Sequence, residues 1–389
     1  MMMPKALYAA FDLVPSPKGA STHITYFTRG LVKAGYKMSL ITAGDPNLPL
    51  QECYEGANLW RVPSTGDQNF LRRAGVYGQF VLAHLQERAD YEIVHVRSIW
   101  AGFPLVSHFG AARPFKLLYE VNGLPSIEMK YHYEALEGSP LLDKLREQEA
   151  ATLHAADAII CPSRVTADYI ASLRVPREKI TVIPNGVDTS LYHPGPAPAA
   201  AAYTLLYTGT LADWQGLDVL VAALPLVEAD RPVQLKLIGR GRKRQRKALQ
   251  KQARRLGVEE QLLIEPPIPH EQLPALIRQA DLCVAPLGFN DRNVTQGCCP
   301  LKVLEYMACG RPTVAANLPV VREIAYADEE IQLFLPEDPV DLARQISQLL
   351  AEPERAAAMG RKAAARVRAE MGWDRAVEQL LAVYANLSG

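Results

Sequence analysis

Short apolar runs of strand character alternate with amphipathic helical stretches along almost the whole of this 389-residue chain, and the alternation occurs twice. That pattern restricts the fold to parallel α/β layers, because consecutive parallel strands need a helical crossover between them. In the first half the predicted strands are 5–11, 37–42, 58–62, 92–97, 116–121, 157–161 and 180–183. Residues 69–88 show helical spacing, with Leu71, Ala74, Gly78, Val81, Leu82 and Leu85 on one face and Arg72 and Arg73 off it. A break follows at Pro194-Gly195-Pro196-Ala197-Pro198, which reads as a loop or linker. The alternation then resumes, with strands at 204–208, 233–238, 261–265, 281–285, 312–315 and 331–334. Helices are expected at 216–228, 242–256, 270–280, 300–309, 338–350, 353–369 and 373–387. Two doubly wound domains are the economical reading, with ligands at the carboxyl ends of the strands.

Charge excludes several partners. Lys plus Arg and Asp plus Glu both total 42, so no net field draws the chain to nucleic acid. The basic segment 240–255 holds nine Arg or Lys and no acid. Helical spacing sends Ala248, Leu249, Ala253 and Leu256 inward and Arg244, Lys247, Lys251 and Arg254 to solvent; weak peripheral contact with an anionic membrane is the alternative. No apolar stretch reaches membrane-spanning length, and Asp12 interrupts the first apolar run too early for a signal segment. Cys53, Cys161, Cys283, Cys298, Cys299 and Cys309 lack CxxC spacing and read as free thiols, with no zinc site. Cytoplasm, including the inner face of the membrane, is the expected location.

Four strand-to-helix loops carry the chemistry. Pro15-Ser16-Pro17-Lys18-Gly19-Ala20-Ser21 offers glycine and a small residue at a helix start, where free amides suit an anion. Ile183-Pro184-Asn185-Gly186-Val187-Asp188 reads as a structural hinge turn. Leu205 to Leu217 runs strand, Gly209 loop, then helix. The fourth, Gln296 to Pro312, brings a small-residue loop into a helix at Pro300, so the amides near Cys298, Cys299 and Leu301 can hold phosphate oxygens. Lys302 and Glu305 share a face of that helix. If that face meets a nucleotide, the carboxylate accepts from ribose hydroxyls and the ammonium meets phosphate; the bland alternative is a surface ion pair.

In order, the glycine loop, "VIPNGVD…YHP", "LLYTGTLADWQGLD", "LIGRG", "IPHEQLPALIRQADLCVAP" and "LKVLEYMACGRPTVAA" resemble the family 4 retaining glycosyltransferases of the GT-B fold. The resemblance implies two Rossmann-like doubly wound domains facing each other. Residues 1–185 would form the acceptor side, 186–370 the nucleotide-sugar side, and 371–389 a helix packing back on the first domain. It also implies transfer from a nucleotide-sugar, with a UDP-sugar expected, without metal or cofactor, onto a saccharide, lipid-linked or small-molecule acceptor. Carried over, Gly19 and Ala20 match the phosphate-side loop, Glu305 the ribose glutamate, and Cys298, Cys299, Pro300 and Leu301 the diphosphate turn. Arg240 falls in the "G-x-G" loop and Ile268 in the base segment.

This sequence departs from the family at three places. Thr210 and Gln215 stand where an Arg and a Lys are common, Gly297 where the first glutamate of E-x7-E falls, and Asn122 near the usual histidine. Lys302, assisted by Arg292 or Arg240, is expected to take over charge neutralisation, and Asn122 to position the sugar while the departing phosphate takes the acceptor proton. Loops 63–70 and 123–140 offer Ser126, Glu128, Tyr131, His132 and Tyr133 to an acceptor. A nonhydrolysing sugar-nucleotide epimerase and a binding module that has lost catalysis are the competing readings. A nicotinamide dehydrogenase is disfavoured because no strand runs into GxGxxG.

Overall fold

The computed structural model describes residues 3–16, 18–63, 66, 69–88, 90–196 and 201–388. Pro17, parts of the 63–70 loop, and Ala197 and Pro198 of the proline-rich break lie outside them. Two compact units are present: residues 1–184 with 373–389, and residues 185–372.

In chain order the first unit contains β1 (Lys5–Leu13), α1 (Gly19–Lys33), β2 (Lys37–Ala43), β3 (Gln51–Tyr54), β4 (Ala57–Val62), α2 (Phe70–Glu87), β5 (Ile93–Val96), α3 (Ile99–Phe109), β6 (Lys116–Glu120), α4 (Pro125–His132), α5 (Pro140–Ala155), β7 (Ala158–Cys161), α6 (Arg164–Ser172) and β8 (Ile180–Val182). The second contains β9 (Tyr203–Thr208), α7 (Leu217–Ala223), β10 (Val233–Ile238), α8 (Lys243–Arg255), β11 (Leu262–Glu265), α9 (Leu273–Arg278), β12 (Leu282–Ala285), α10 (Leu301–Ala308), β13 (Thr313–Ala316), α11 (Pro319–Arg322), β14 (Gln332–Phe334), α12 (Pro339–Ala351) and α13 (Pro353–Glu370). The last helix, α14 (Trp373–Ser388), belongs to the first unit.

The first sheet has the order β3-β4-β2-β1-β5-β6-β7-β8 and the second β11-β10-β9-β12-β13-β14. Both are parallel except for the β3–β4 hairpin. Central strands such as β1 and β12 are buried on both faces, which is why they read as continuous apolar runs rather than alternating ones. In each sheet the winding direction reverses beside the first strand, between β1 and β5 and between β9 and β12. Loops part at such a switch point and leave a crevice above the carboxyl ends of the strands.

Several expectations need correction. The edge strand β3 was not expected, because Gln51-Glu52-Cys53-Tyr54 is polar and largely exposed. It forms because Glu55 and Gly56, at φ 51° and 82°, make the tight turn that twisted hairpins favour. The proline-rich break, read as a loop or linker, lies inside the second unit, where Gly195 O accepts from Arg311 Nη2 at 3.2 Å; the units divide after Pro184. The helix expected over 216–228 ends at Ala223, and Pro225 sits in the short 3-10 turn that follows. On α8, Leu249 and Ala253 are buried and Leu256 half-buried, but Ala248 is exposed, so the inward face is narrower than the spacing implied. The inward face of α2 includes Tyr77 and His84, which the stripe omitted.

The helix α14 is held by aromatic packing at its start. Trp373 stacks on Tyr26 with centroids 5.0 Å apart and meets His23 edge-on at 5.4 Å. Gly30 on α1 leaves room for Val377, since a Cβ there would lie 2.3 Å from Val377 Cγ1. Truncating a buried tryptophan of this kind removes both transfer energy and packing. Trp373→Ala is expected to destabilise the first unit by about 3 kcal/mol. Urea unfolding followed by far-ultraviolet circular dichroism measures it, and an unchanged midpoint would show that α14 contributes little.

Candidate functional site

In the second unit, backbone crowding shapes the loops at the carboxyl edge of the sheet. Gly209, at φ 135°, donates its amide to Ile238 O at 3.0 Å. A Cβ on Gly239 would lie 1.7 Å from Gly209 O, so only glycine lets the β9 and β10 loops touch. Gly216 precedes α7 in the left-handed region, and a Cβ there would meet Pro286 O at 2.1 Å. The β9 and β12 loops are clasped by the buried Asn293. Its Nδ2 donates to Trp214 O at 3.1 Å and to Gly288 O at 2.9 Å. A π-turn over Arg292–Gln296 then delivers Gly297, Cys298, Cys299 and Pro300 to the start of α10. No side chain caps α10, so its first amides point out of the helix toward whatever occupies this edge.

Lys302 and Glu305 do not behave as a surface pair. Lys302 Nζ donates to Tyr207 OH at 3.3 Å and to Gln215 Oε1, and lies 4.7 Å over the Tyr207 ring. Glu305 bonds to Tyr192, whose hydroxyl also lies 3.2 Å from His270 Nδ1. Burial pushes the Lys302 ammonium down to about 7, with the Arg292 charge adding to the effect. Burial likewise pushes Glu305 up to about 7, against the Tyr192 bond and Lys302. Arg292 lies over Trp214 at 5.5 Å and donates to Asn293 Oδ1 at 3.2 Å. Lys302, Arg292, Gln215 and Glu305 therefore gather at one edge with Gly209, Thr210 and the turn Cys298–Leu301. Arg240 is exposed and contributes its carbonyl, accepting from Leu211 N at 2.7 Å. Ile268 is half-buried on the loop after β11.

The segment read as a plain hinge turn has a further role within this unit. Asn185 Nδ2 donates to Cys299 O at 3.0 Å, which fixes the small-residue turn, while Tyr192 fixes Glu305. The Asn and Tyr of "PNGVD…Y" were the available signal.

The first unit carries a cluster that sequence reasoning missed. Glu120, buried at the end of β6, receives Tyr8 OH at 2.6 Å, Arg97 Nε at 3.0 Å and the Asn122 amide. His23 Nε2 and His95 Nε2 lie 2.9 and 3.1 Å from its oxygens. Burial alone would raise this carboxyl, but His23 and Arg97 outweigh it and hold Glu120 well below the usual range. Arg97 also pairs with Asp12 at 2.6 Å, and His95 Nδ1 meets Tyr384 OH of α14 at 3.0 Å. A glutamate closing an otherwise apolar strand was the signal, since buried carboxylates occur almost only with partners. Gly19 is exposed at the start of α1 and Ala20 half-buried behind it.

Among the residues expected to meet an acceptor, Ser126 does not face solvent. It is buried, and both its amide, at 2.7 Å, and its hydroxyl bond to Glu149. Ser126 anchors α4 instead. Glu128 lies against Gly123, where a Cβ would be 2.6 Å from its Oε2; Tyr131 is half-buried, while His132 and Tyr133 are exposed.

Comparison with known proteins decides the class. Residues 17–191 match the model of Glycosyltransferase Family 4, and residues 202–352 that of glycosyl transferases group 1. The chain belongs to the family 4 glycosyltransferases. This glycosyltransferase is 28% identical to D-inositol 3-phosphate glycosyltransferase 1 of Catenulispora acidiphila over 94% of its own length and 90% of the relative's. It is 29% identical to a GDP-mannose-dependent alpha-(1-6)-phosphatidylinositol monomannoside mannosyltransferase of Mycolicibacterium smegmatis, over 65% and 69% of the two chains. Among solved structures, sucrose-phosphate synthase from Thermosynechococcus elongatus matches with a TM-score of 0.83 at 21% identity over 99% of both chains. Anabaena HepE in complex with UDP and glucose matches at 0.75 and 18%, over 98% of this chain and 100% of that one. These structures share the GT-B fold of two Rossmann-like domains. Among the described residues no helix is long and apolar enough to cross a membrane.

Glu149 generates a prediction of its own. Burial pushes its carboxyl up to about 7, against the two Ser126 bonds that would lower it. The folded protein thus holds this proton more tightly than the unfolded chain does. Stability is full below the unfolded value of 4.5 and falls as pH rises to about 7. The loss amounts to about 3 kcal/mol at most. Glu149→Gln keeps the shape without the charge, so it is expected to be more stable than wild type at pH 8 and equal to it near pH 4. Urea titrations at the two pH values measure this.

Proposed function

We propose that this glycosyltransferase moves a hexosyl group from a UDP-sugar onto a hydroxyl of a saccharide, lipid-linked or small-molecule acceptor, with retention of anomeric configuration and without metal or cofactor. The observation that carries this is Lys302, drawn out of solvent against Tyr207 and Gln215 beside the uncapped start of α10. The amides of Cys298, Cys299 and Leu301 hold the diphosphate, Lys302 and Arg292 neutralise it as it departs, and Glu305 accepts from the ribose hydroxyls. A cation about 4 Å from a phosphate oxygen contributes roughly 4 kcal/mol at an effective dielectric of about 20. The helix terminus adds no more than about 2 kcal/mol, so Lys302 is the larger effect. Gln215, at the position where a lysine is common, accepts from Lys302 rather than supplying a charge itself. Gly19 and Ala20 give the first-unit loop room for substrate, Asn122 orients a hydroxyl of the transferring sugar, and the departing phosphate takes the acceptor proton. Arg240, Thr210 and Ile268 border the nucleotide, and Glu128, Tyr131 and His132 the acceptor. A relative named for GDP-mannose makes the GDP-sugars the alternative donors.

A thermal-shift series with UDP, GDP, ADP and their sugars tests the donor. A ligand at 100 times its dissociation constant stabilises by about 2.7 kcal/mol, so UDP and UDP-sugars are expected to raise the melting temperature. A shift with GDP compounds alone would reassign the base, and none with any would overturn the donor site. The pH dependence is specific. Lys302 is charged below about 7 and Glu305 ionised above about 7, so diphosphate affinity is expected to peak near neutrality. Lys302→Met is expected to cut turnover by about a hundredfold or more, a loss of at least ~2.7 kcal/mol of transition-state stabilisation. It should also leave affinity rising with pH through Glu305 alone. Unchanged turnover would remove Lys302 from the mechanism.

A further inference from the structure

Glu120 has more donors than a buried carboxylate needs for its own sake. Tyr8, Arg97 and Asn122 donate to it, and His23 and His95 present ring nitrogens to it. A carboxylate accepts at about four lone-pair positions; Tyr8, Arg97 and Asn122 take three, and the two imidazoles lie at ion-pair distance. An ionised carboxylate can only accept, which fixes the polarity of each partner. The atom of Asn122 that meets it must be Nδ2, leaving Oδ1 as the atom that can accept from a ligand. His95 Nδ1 lies 3.0 Å from Tyr384 OH on α14. Without Glu120, the amide of Asn122 would be free to present either end.

We propose that Glu120 is a positioning residue for sugar transfer, whose ionised carboxylate fixes the Asn122 amide with Oδ1 turned to accept a hydroxyl of the transferring sugar. This rests on the transferase reading and on the role given to Asn122 there. The surrounding bonds explain why the orientation holds. Arg97 is braced by Asp12, His95 by α14 through Tyr384, and His23 by Trp373, so the carboxylate is gripped by α1, β1, β5 and α14 at once. An amide presenting Nδ2 instead would reverse the sense of the hydrogen bond to the sugar hydroxyl.

The test exchanges the polarity of the pair. Turnover is read as nucleoside diphosphate release from UDP-glucose and GDP-mannose with water as acceptor, alongside melting temperature and circular dichroism. Glu120→Gln is expected to lower kcat by about tenfold or more while KM for the sugar donor changes by less than about twofold, since the Glu120 carboxylate is engaged by protein side chains. Asn122→Asp alone sets a second carboxylate against Glu120 and is expected to be at least as impaired. The double variant E120Q/N122D keeps one negative charge, lets the new amide at position 120 donate to the new carboxylate at position 122, and again turns an oxygen toward the sugar. Its kcat is expected to recover to within about threefold of wild type, a strongly non-additive result. A merely structural Glu120 would lower the melting temperature in both Glu120 variants without this recovery. Wild-type kcat in Glu120→Gln or in Asn122→Asp, or a double variant no faster than Glu120→Gln, would overturn the assignment. If Asn122→Ala turns over like wild type, the role of Asn122 fails first. If wild type releases nucleotide from neither donor, the proposed reaction falls and this assignment with it.

Discussion

The second unit depends on three backbones being allowed to touch. Gly239 stands against the Gly209 carbonyl and Gly216 against that of Pro286, at distances that no Cβ could share. Those contacts draw the loops after β9, β10 and β12 into one edge. Asn293 then ties two of them together with bonds to Trp214 and Gly288 carbonyls. Everything chemical in the unit stands on that edge. Lys302 can reach Gln215 because the β9 loop is held down, and Arg292 can lie over Trp214 because the π-turn after β12 starts where Asn293 anchors it.

Glu120 and the Lys302–Glu305 pair show opposite outcomes for buried charge. Glu120 is surrounded by donors, and the bonds and charges about it outweigh desolvation, so it stays ionised. Lys302 and Glu305 have few partners, so desolvation prevails and each titrates near neutrality. Satisfied groups of the first kind hold geometry, because moving any partner leaves a buried charge exposed to apolar surroundings. Lys302 and Glu305 keep bonding capacity beyond Tyr207, Gln215 and Tyr192 that, on the proposed reading, a diphosphate and a ribose complete. Glu149 is likewise raised to about 7 by burial and is a support all the same, so ligand is expected only where such groups stand beside uncapped backbone amides, as at α10.

Much of this was legible in the sequence, for reasons that differ by element. The parallel strands were readable because burial on both faces forces continuous apolar runs, as in Leu205-Leu206-Tyr207 and Ile159-Ile160-Cys161. β3 was not, because an exposed edge strand carries no apolar signature and only its Glu55-Gly56 turn betrays it. Helix ends failed where proline acted locally, as at Pro225. In the candidate site, Lys302 and Glu305 were legible from their spacing, but their separate partners Gln215 and Tyr192 were not, since those contacts join residues far apart along the chain. Ser126 misled because a serine beside polar residues resembles surface. Its burial comes from Glu149, a partner no local pattern announces.

The departures from the family pattern share a physical logic in the second unit. Where a lysine is common, Gln215 leaves a neutral amide whose oxygen can only accept at Lys302. A cation at position 215 would stand against the Lys302 ammonium and lower its affinity for a proton further, as Arg292 already does. On the proposed reading, both cations common in the β9 loop are replaced, by Thr210 and Gln215, and Lys302 supplies charge from α10 instead. An ammonium on the first turn of a helix that also presents free amides acts along the same line as those amides, so both stabilise negative charge at one place. That alignment is available to Lys302 and would not be to a lysine at 215.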